Sequence, residues 1–285
     1  LSNQIYLKGV KMNNKWRAFI AFIMLLFLEH VMACRADQIK LVPKSLYISE
    51  LTWPELVTYV NQGYITAIVP SGGMEQNGLH MVIGKHDKII EHTTRIVAQK
   101  LGNALIAPII SYVPQGQFSP ATENMRFPGT IGLTETAYES LLDGIVRSLK
   151  KSGFKIICLI ADHGGSLNAQ QKVANKLNHE WKVENIHVIN VTEYYQAGSE
   201  QIKYLQKMQL SRDEIGDHAG MLDTSELMYV YPRGVDLSLL QNTTIPSDLR
   251  GDSGNPNKST PIIGDDLIKI KVNAAIKQIE IESQY

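Results

Sequence analysis

The chain has 285 residues, with 28 Lys+Arg against 28 Asp+Glu, and 44% of it is hydrophobic. That is enough apolar material for one large domain or two small ones. Zero formal net charge leaves no basic excess for holding phosphates, so no nucleic-acid partner is expected.

The N-terminal segment reads separately from the rest. Leu1 to Lys11 contain no Met, and Met12 is the first. Translation is expected to start at Met12, with residues 1–11 as upstream read-through or a cloning remnant. Residues 12–36 then follow the pattern of an export signal. Lys15 and Arg17 supply the positive region, Ala18 to Leu28 the apolar core, and Val31-Met32-Ala33 a small-residue cleavage site. The apolar stretch is too short for a membrane span, and Glu29 and His30 interrupt it. The expected destination is a bacterial periplasm. Val31-Met32-Ala33-Cys34 also resembles a lipobox, in which Cys34 would carry a lipid anchor. Cys158 is the other cysteine, in an apolar run, so it reads as a core residue and no disulfide framework follows.

From about Leu41 the chain alternates strand and helix signals to its end. Apolar runs of strand length cover Ile65–Val69, Ala104–Tyr112, Lys155–Ala161 and Ile186–Val191. A helical stripe covers Lys88–Leu101 and stops at Gly102. A second covers Thr136–Lys151, with Thr136 and Glu139 as a candidate capping box. A third runs over Asn168–Trp181, a fourth starts near Asp223, and the last covers Asp265–Glu282. This alternation predicts an α/β fold, a mostly parallel sheet with helices on both faces. No linker divides residues 41–285, which are read as one domain.

Three polar stretches carry the chemistry. The first is Pro70-Ser71-Gly72-Gly73-Met74-Glu75-Gln76-Asn77-Gly78-Leu79-His80, continuing to Gly84-Lys85-His86-Asp87. It follows the first strand, at the carboxyl edge where open α/β sheets place ligands. A carboxylate, an amide and imidazoles so close together suit a divalent metal better than a phosphate. The second, Asp162-His163-Gly164-Gly165-Ser166, follows the third strand. The third, Gly216-Asp217-His218-Ala219-Gly220-Met221-Leu222-Asp223-Thr224-Ser225-Glu226, leads into a helix. Each has a plainer reading beside it. Asp223 with Glu226 is also an N-cap pattern, Gly164-Gly165 a tight turn, and His80, among apolar neighbours, a histidine that ties down its loop.

In order and spacing, these stretches resemble the creatininase (creatinine amidohydrolase) family. That family has a Pro-x-Gly-x-x-Glu-Gln-His-Gly-x-His loop, an Asn-Gly-His-Gly-Gly-Asn turn and a His-Ala-Gly-Glu-x-Glu-Thr-Ser helix start. Phe127-Pro128-Gly129-Thr130 matches a fourth family segment. The resemblance implies a three-layer α/β/α sandwich and metal-dependent hydrolysis of a carbon–nitrogen bond in a small cyclic or linear amide. It also implies a homo-oligomer, often a hexamer, and one or two divalent ions, Zn or Mn. Glu75 and His163 match metal ligands. Asn77 stands where the family has a ligand His, and His86 where it has a bridging Asp, unless Asp87 takes that place. Gly165 stands where creatininase has a Glu, Met221 replaces the first Glu of the third motif, and Asp223 the second.

These departures point away from creatinine as substrate and toward one well-held metal or a rebuilt site. The expected metal ligands are Glu75, His86 and His163, with Asn77 and Asp87 as further candidates. His218, Asp223 and Asp162 are expected to move protons. Arg126, Gly164 and Gly165 are expected to contact substrate, with Tyr112 and Gln115 on nearby loops. The alternative is a protein on the same fold that binds a small ligand in the cleft without catalysis.

Overall fold

The structure, a computed structural model, describes residues 41–241 and 244–284. The expected export signal and Cys34 lie outside the described residues. Four strands form one parallel sheet in the order β2-β1-β3-β4. They are β1 (Thr66–Ser71), β2 (Ala104–Ile106), β3 (Ile156–Ala161) and β4 (His187–Asn190). Ile68 of β1 stands opposite Ile106 and Cys158.

β1 and β3 are buried along their whole length, as expected of strands covered on both faces. Successive side chains go to opposite sides. Ala67, Val69, Ile157 and Leu159 join one apolar cluster, which takes in Tyr59 of α1 (Trp53–Asn61), Leu142 of α3 (Glu135–Lys151) and Val173 of α4 (Leu167–Glu180). Ile68, Cys158 and Ile160 join the other. It takes in Ile89 and Ile90 of α2 (Lys85–Leu101), Tyr194 of α5 (Thr192–Gln196) and Ile268 and Val272 of α8 (Pro261–Glu282). The result is the three-layer α/β/α sandwich. Two further helices, α6 (Gly198–Lys207) and α7 (Met221–Val230), lie between α5 and α8 in the chain. Cys158 is buried and unpaired, as expected.

Several boundaries differ from the sequence pattern, and three of them bear on the sheet and the site. β2 stops at Ile106 rather than near residue 112. After the Ala107 N–H donates to the Ile68 carbonyl at 2.8 Å, the next bond to β1 is from the Ile110 N–H to the Pro70 carbonyl at 2.9 Å, out of the regular alternation. The N-cap of α3 is Thr134, whose hydroxyl accepts the Ala137 N–H at 3.2 Å. Thr136 is already inside the helix, so the Thr136–Glu139 box does not form, and Glu139 pairs with Lys172 instead. α2 begins at Lys85, three residues early. This moves His86 and Asp87 from a loop onto the rigid first turn of a helix. Among the described residues, no helix is long and apolar enough to cross a membrane.

Candidate functional site

The carboxyl ends of β1 and β3 deliver Glu75 and Asp162 to one side of the sheet. With the first turns of α2 and α7 they border a cavity of about 460 Å³. Glu75, His86, His163, Gly164, Gly165 and His218 all line it, as do Asp162 and Asp223. The three polar stretches therefore converge.

His86 occupies the centre. Its Nε2–H donates to Glu75 Oε1 and its Nδ1–H to Asp162 Oδ2, both at 2.7 Å. A ring that gives both hydrogens to carboxylates is an imidazolium. Burial and Lys85 oppose that charge, but Glu75 and Asp162 outweigh them and raise its pKa to about 9. Asp162 is fully enclosed: its Oδ1 accepts from Lys271 Nζ at 2.7 Å and from the Tyr194 hydroxyl at 2.8 Å. Burial would neutralise this carboxyl, yet Lys271 and His86 hold it well below the usual carboxylate range. Glu75 is in the same position, with burial outweighed by His86, His163 and Lys85.

His163 faces the other Glu75 oxygen at 3.0 Å. Its Nδ1 accepts the Gly165 N–H at 3.2 Å, which leaves Nε2 to carry the ring hydrogen, facing Glu75 and 3.4 Å from the Asn124 amide nitrogen. Asn124 also donates to this Glu75 oxygen and, at 3.1 Å, to Gln115 Oε1. His218 is arranged the opposite way. Its Nε2–H donates to the Gln76 carbonyl at 2.9 Å. Its Nδ1 keeps a free lone pair, 3.8 Å from Glu75 Oε1. Burial and Lys85 push the His218 pKa down, so the ring is neutral near pH 7.

Asp223 is not the N-cap the sequence pattern offered: Gly220 holds that position, and Asp223 is the third residue of α7, facing the cavity. Its Oδ2 accepts the Ala219 N–H at 2.9 Å ahead of α7, and Lys85 Nζ at 2.8 Å. Burial would raise its pKa, but Lys85 and the two histidines lower it. Glu226 forms no cap: it is buried, taking Lys271 on one oxygen at 3.0 Å and Gln201 on the other at 2.6 Å. His80 ties the loop to Thr224 Oγ1 at 2.8 Å.

Several expected site residues are placed elsewhere. Asn77 is buried inside its own loop, where its amide donates to the Glu75 and Val82 carbonyls. Asp87 accepts the Gly73 N–H at 3.0 Å, and its side chain crowds Gly72 so closely that a Cβ there would collide. Both shape the loop, and neither lines the cavity. Arg126 is exposed and turned back onto the Glu123 carbonyl at 3.0 Å. Tyr112 is exposed, and Gln115 is buried against Asn124. Gly164 packs under the Tyr195 ring.

Gly165 leaves no room for a side chain. A Cβ there would overlap the Pro114 carbonyl oxygen and come 2.9 Å from the His163 ring. Gly165→Ala is expected to lower stability by about 1–3 kcal/mol, read from the urea midpoint; an unchanged midpoint would mean that the loop gives way freely.

The sequence carries no signal for Tyr194 or Asn124. It did carry a signal for Lys271, which interrupts the buried apolar stripe Leu267, Ile268, Val272, Ala275 of α8.

These residues do not fit a divalent metal centre. Among the described residues, no group of three or more His, Cys, Asp or Glu is arranged to hold an ion. Both His86 nitrogens and His163 Nε2 carry hydrogens directed at carboxylates, so His218 Nδ1 is the one of these imidazole nitrogens facing the cavity with a lone pair to give. Lys85 and Lys271, fully buried ammonium groups, already neutralise the carboxylates an ion would need.

Residues 49–279 match the creatininase (creatinine amidohydrolase) family. The creatinine amidohydrolase of Pseudomonas putida is 30% identical over 120 residues, 42% of this chain. The match spans less than half of that enzyme, 45% of its length. The mycofactocin precursor peptide peptidase of Mycolicibacterium smegmatis (strain ATCC 700084 / mc(2)155) is 24% identical over 75% of this chain and 83% of its own length. Solved creatininases include a manganese form and a zinc–zinc form. Each is 22% identical, has a TM-score of 0.67 and covers 84% of this chain, with 99% and 98% of their own chains matched. Such a likeness establishes the fold, and the sequence match over most of the chain establishes more: this chain belongs to the creatininase family.

Proposed function

We propose that this chain hydrolyses the carbon–nitrogen bond of a small amide other than creatinine, in the cavity bordered by Glu75, His163 and His218. The observation that carries this reading is the free Nδ1 of a neutral, half-buried His218 on a cavity of about 460 Å³. An imidazole in that state takes a proton from water as the water attacks the amide carbonyl. The imidazolium so formed returns the proton to the departing nitrogen. Lys85 lines the same cavity and supplies fixed positive charge for the developing oxyanion. The peptidase named among the relatives supports an amide of peptide type over a compact lactam.

A second reading is a non-catalytic small-ligand-binding protein, favoured by the saturation of both Glu75 oxygens. Incubating the protein with dipeptides, lactams, formamides and creatinine, followed by amine release and calorimetry, separates the two. Release from an amide other than creatinine, lost in His218→Gln, supports hydrolysis. Calorimetric binding without release from any of them supports the second reading. Export to a periplasm, with or without lipid on Cys34, and assembly into a homo-oligomer such as a hexamer are further parts of the proposal. The intact mass of the mature chain and its sedimentation test them.

A further inference from the structure

The buried charges beneath the cavity form one unbroken alternating row: Asp223, Lys85, Glu75, His86, Asp162, Lys271, Glu226. Lys85 Nζ is 2.8 Å from Asp223 Oδ2 and 3.8 Å from Glu75 Oε1. His86 joins Glu75 to Asp162 at 2.7 Å on each side. Lys271 joins Asp162 to Glu226 at 2.7 and 3.0 Å. Each cation thus bridges two carboxylates, the bonding role a divalent ion plays in a carboxylate-rich centre. All of these carboxylates but Asp223 and all three cations are nearly excluded from solvent.

We infer that Lys85, His86 and Lys271 are the resident counter-cations of this centre, and that they replace a divalent metal in holding its carboxylates together. A metal arriving at Glu75 would lie close to the Lys85 ammonium and to the His86 ring. His86 and Asn124 already satisfy the Glu75 oxygens it needs, and the charges of Lys85 and His86 repel it. The inference goes beyond the proposed hydrolysis: a centre of this kind either turns over an amide or only binds one, and needs no ion for its integrity in either case.

Elemental analysis of the full chain, purified without chelator from medium supplemented with zinc and manganese, tests it. The expected content is about 0.1 ion per chain or less, since protein cations hold the donor set. The thermal midpoint is expected to shift by less than about 1 °C with EDTA, zinc chloride or manganese chloride, because an ion that does not bind cannot stabilise the fold. Lys271→Met, which leaves Asp162 and Glu226 without their shared cation, is expected to lower that midpoint by about 10 °C. Zinc or manganese at about half an ion per chain or more, surviving gel filtration, overturns the inference, as does a midpoint that falls with EDTA and recovers with either metal. If Lys271→Met does not fold, the metal content and midpoints of the unaltered chain still decide. None of these readings depends on amide turnover, so this inference and the proposed hydrolysis fail separately.

Discussion

Replacing Asp162 with Asn is expected to lower the free energy of unfolding by about 3–5 kcal/mol, the cost of leaving buried charges without their partner. Asp162 is the hub of the row. It takes His86 on one oxygen, and Lys271 and Tyr194 on the other. An amide of the same shape fills the space but removes the negative charge between two buried cations. Lys271 keeps Glu226 and His86 keeps Glu75, so the loss is partial rather than complete unfolding. Urea unfolding measures it. A change below about 1 kcal/mol, the scale of an exposed ion pair, would mean that the row contributes little to stability.

The same contacts set the pH dependence. His86 has its pKa raised to about 9, above its ordinary 6.5, so the native state binds this proton more tightly than the unfolded chain does. That contribution is complete below about pH 6.5 and is lost as pH rises through about 9. Asp162 and Glu75 are shifted the other way. Their contribution is complete above the ordinary carboxylate range and is lost as pH falls through it and below. The urea midpoint is therefore expected to peak near pH 5–6.5 and decline on both sides. In Asp162→Asn the alkaline decline should shrink, because one of the two carboxylates that raise His86, the other being Glu75, has lost its charge.

His218→Gln is expected to lower kcat for any amide the chain hydrolyses by about 10²–10⁴-fold, the usual worth of a general base. The glutamine side chain can still donate to the Gln76 carbonyl that His218 now contacts, but it has no basic nitrogen. His218 is partly exposed and takes part in no buried ion pair shorter than 3.8 Å, so unfolding should change by less than about 1 kcal/mol. Because burial and Lys85 push the His218 pKa down, kcat/KM of the unaltered chain should rise with pH below 6.5 and then level off. Undiminished turnover in His218→Gln would remove this residue from the mechanism.

How much of this was legible in the sequence follows from the range over which the physics acts. Strand–helix alternation, the glycine-bounded loops after β1 and β3, and the motifs around Glu75, His163 and His218 are local patterns. They identify an α/β fold, a family and the sheet edge where a site belongs, because chain direction puts the ends of parallel strands on one side. The departures at Asn77, His86, Gly165 and Met221 are visible there too. What replaced the missing ligands is not. The Asp162–Lys271 bond joins residues 109 positions apart, and Lys85 reaches Asp223 across 138. Whether a lysine in an apolar stripe extends to solvent or bridges two buried carboxylates depends on what the fold places at its tip. Likewise, the lone pair on His218 and its absence at His163 Nε2 are set by two backbone groups, the Gln76 carbonyl and the Gly165 N–H. The sequence alone determined that the stretches carrying Glu75, His86, Asp162, His163, His218 and Asp223 gather at the sheet edge. Only the tertiary structure decided their protonation and partners, because burial makes every charge there depend on the neighbour that compensates it.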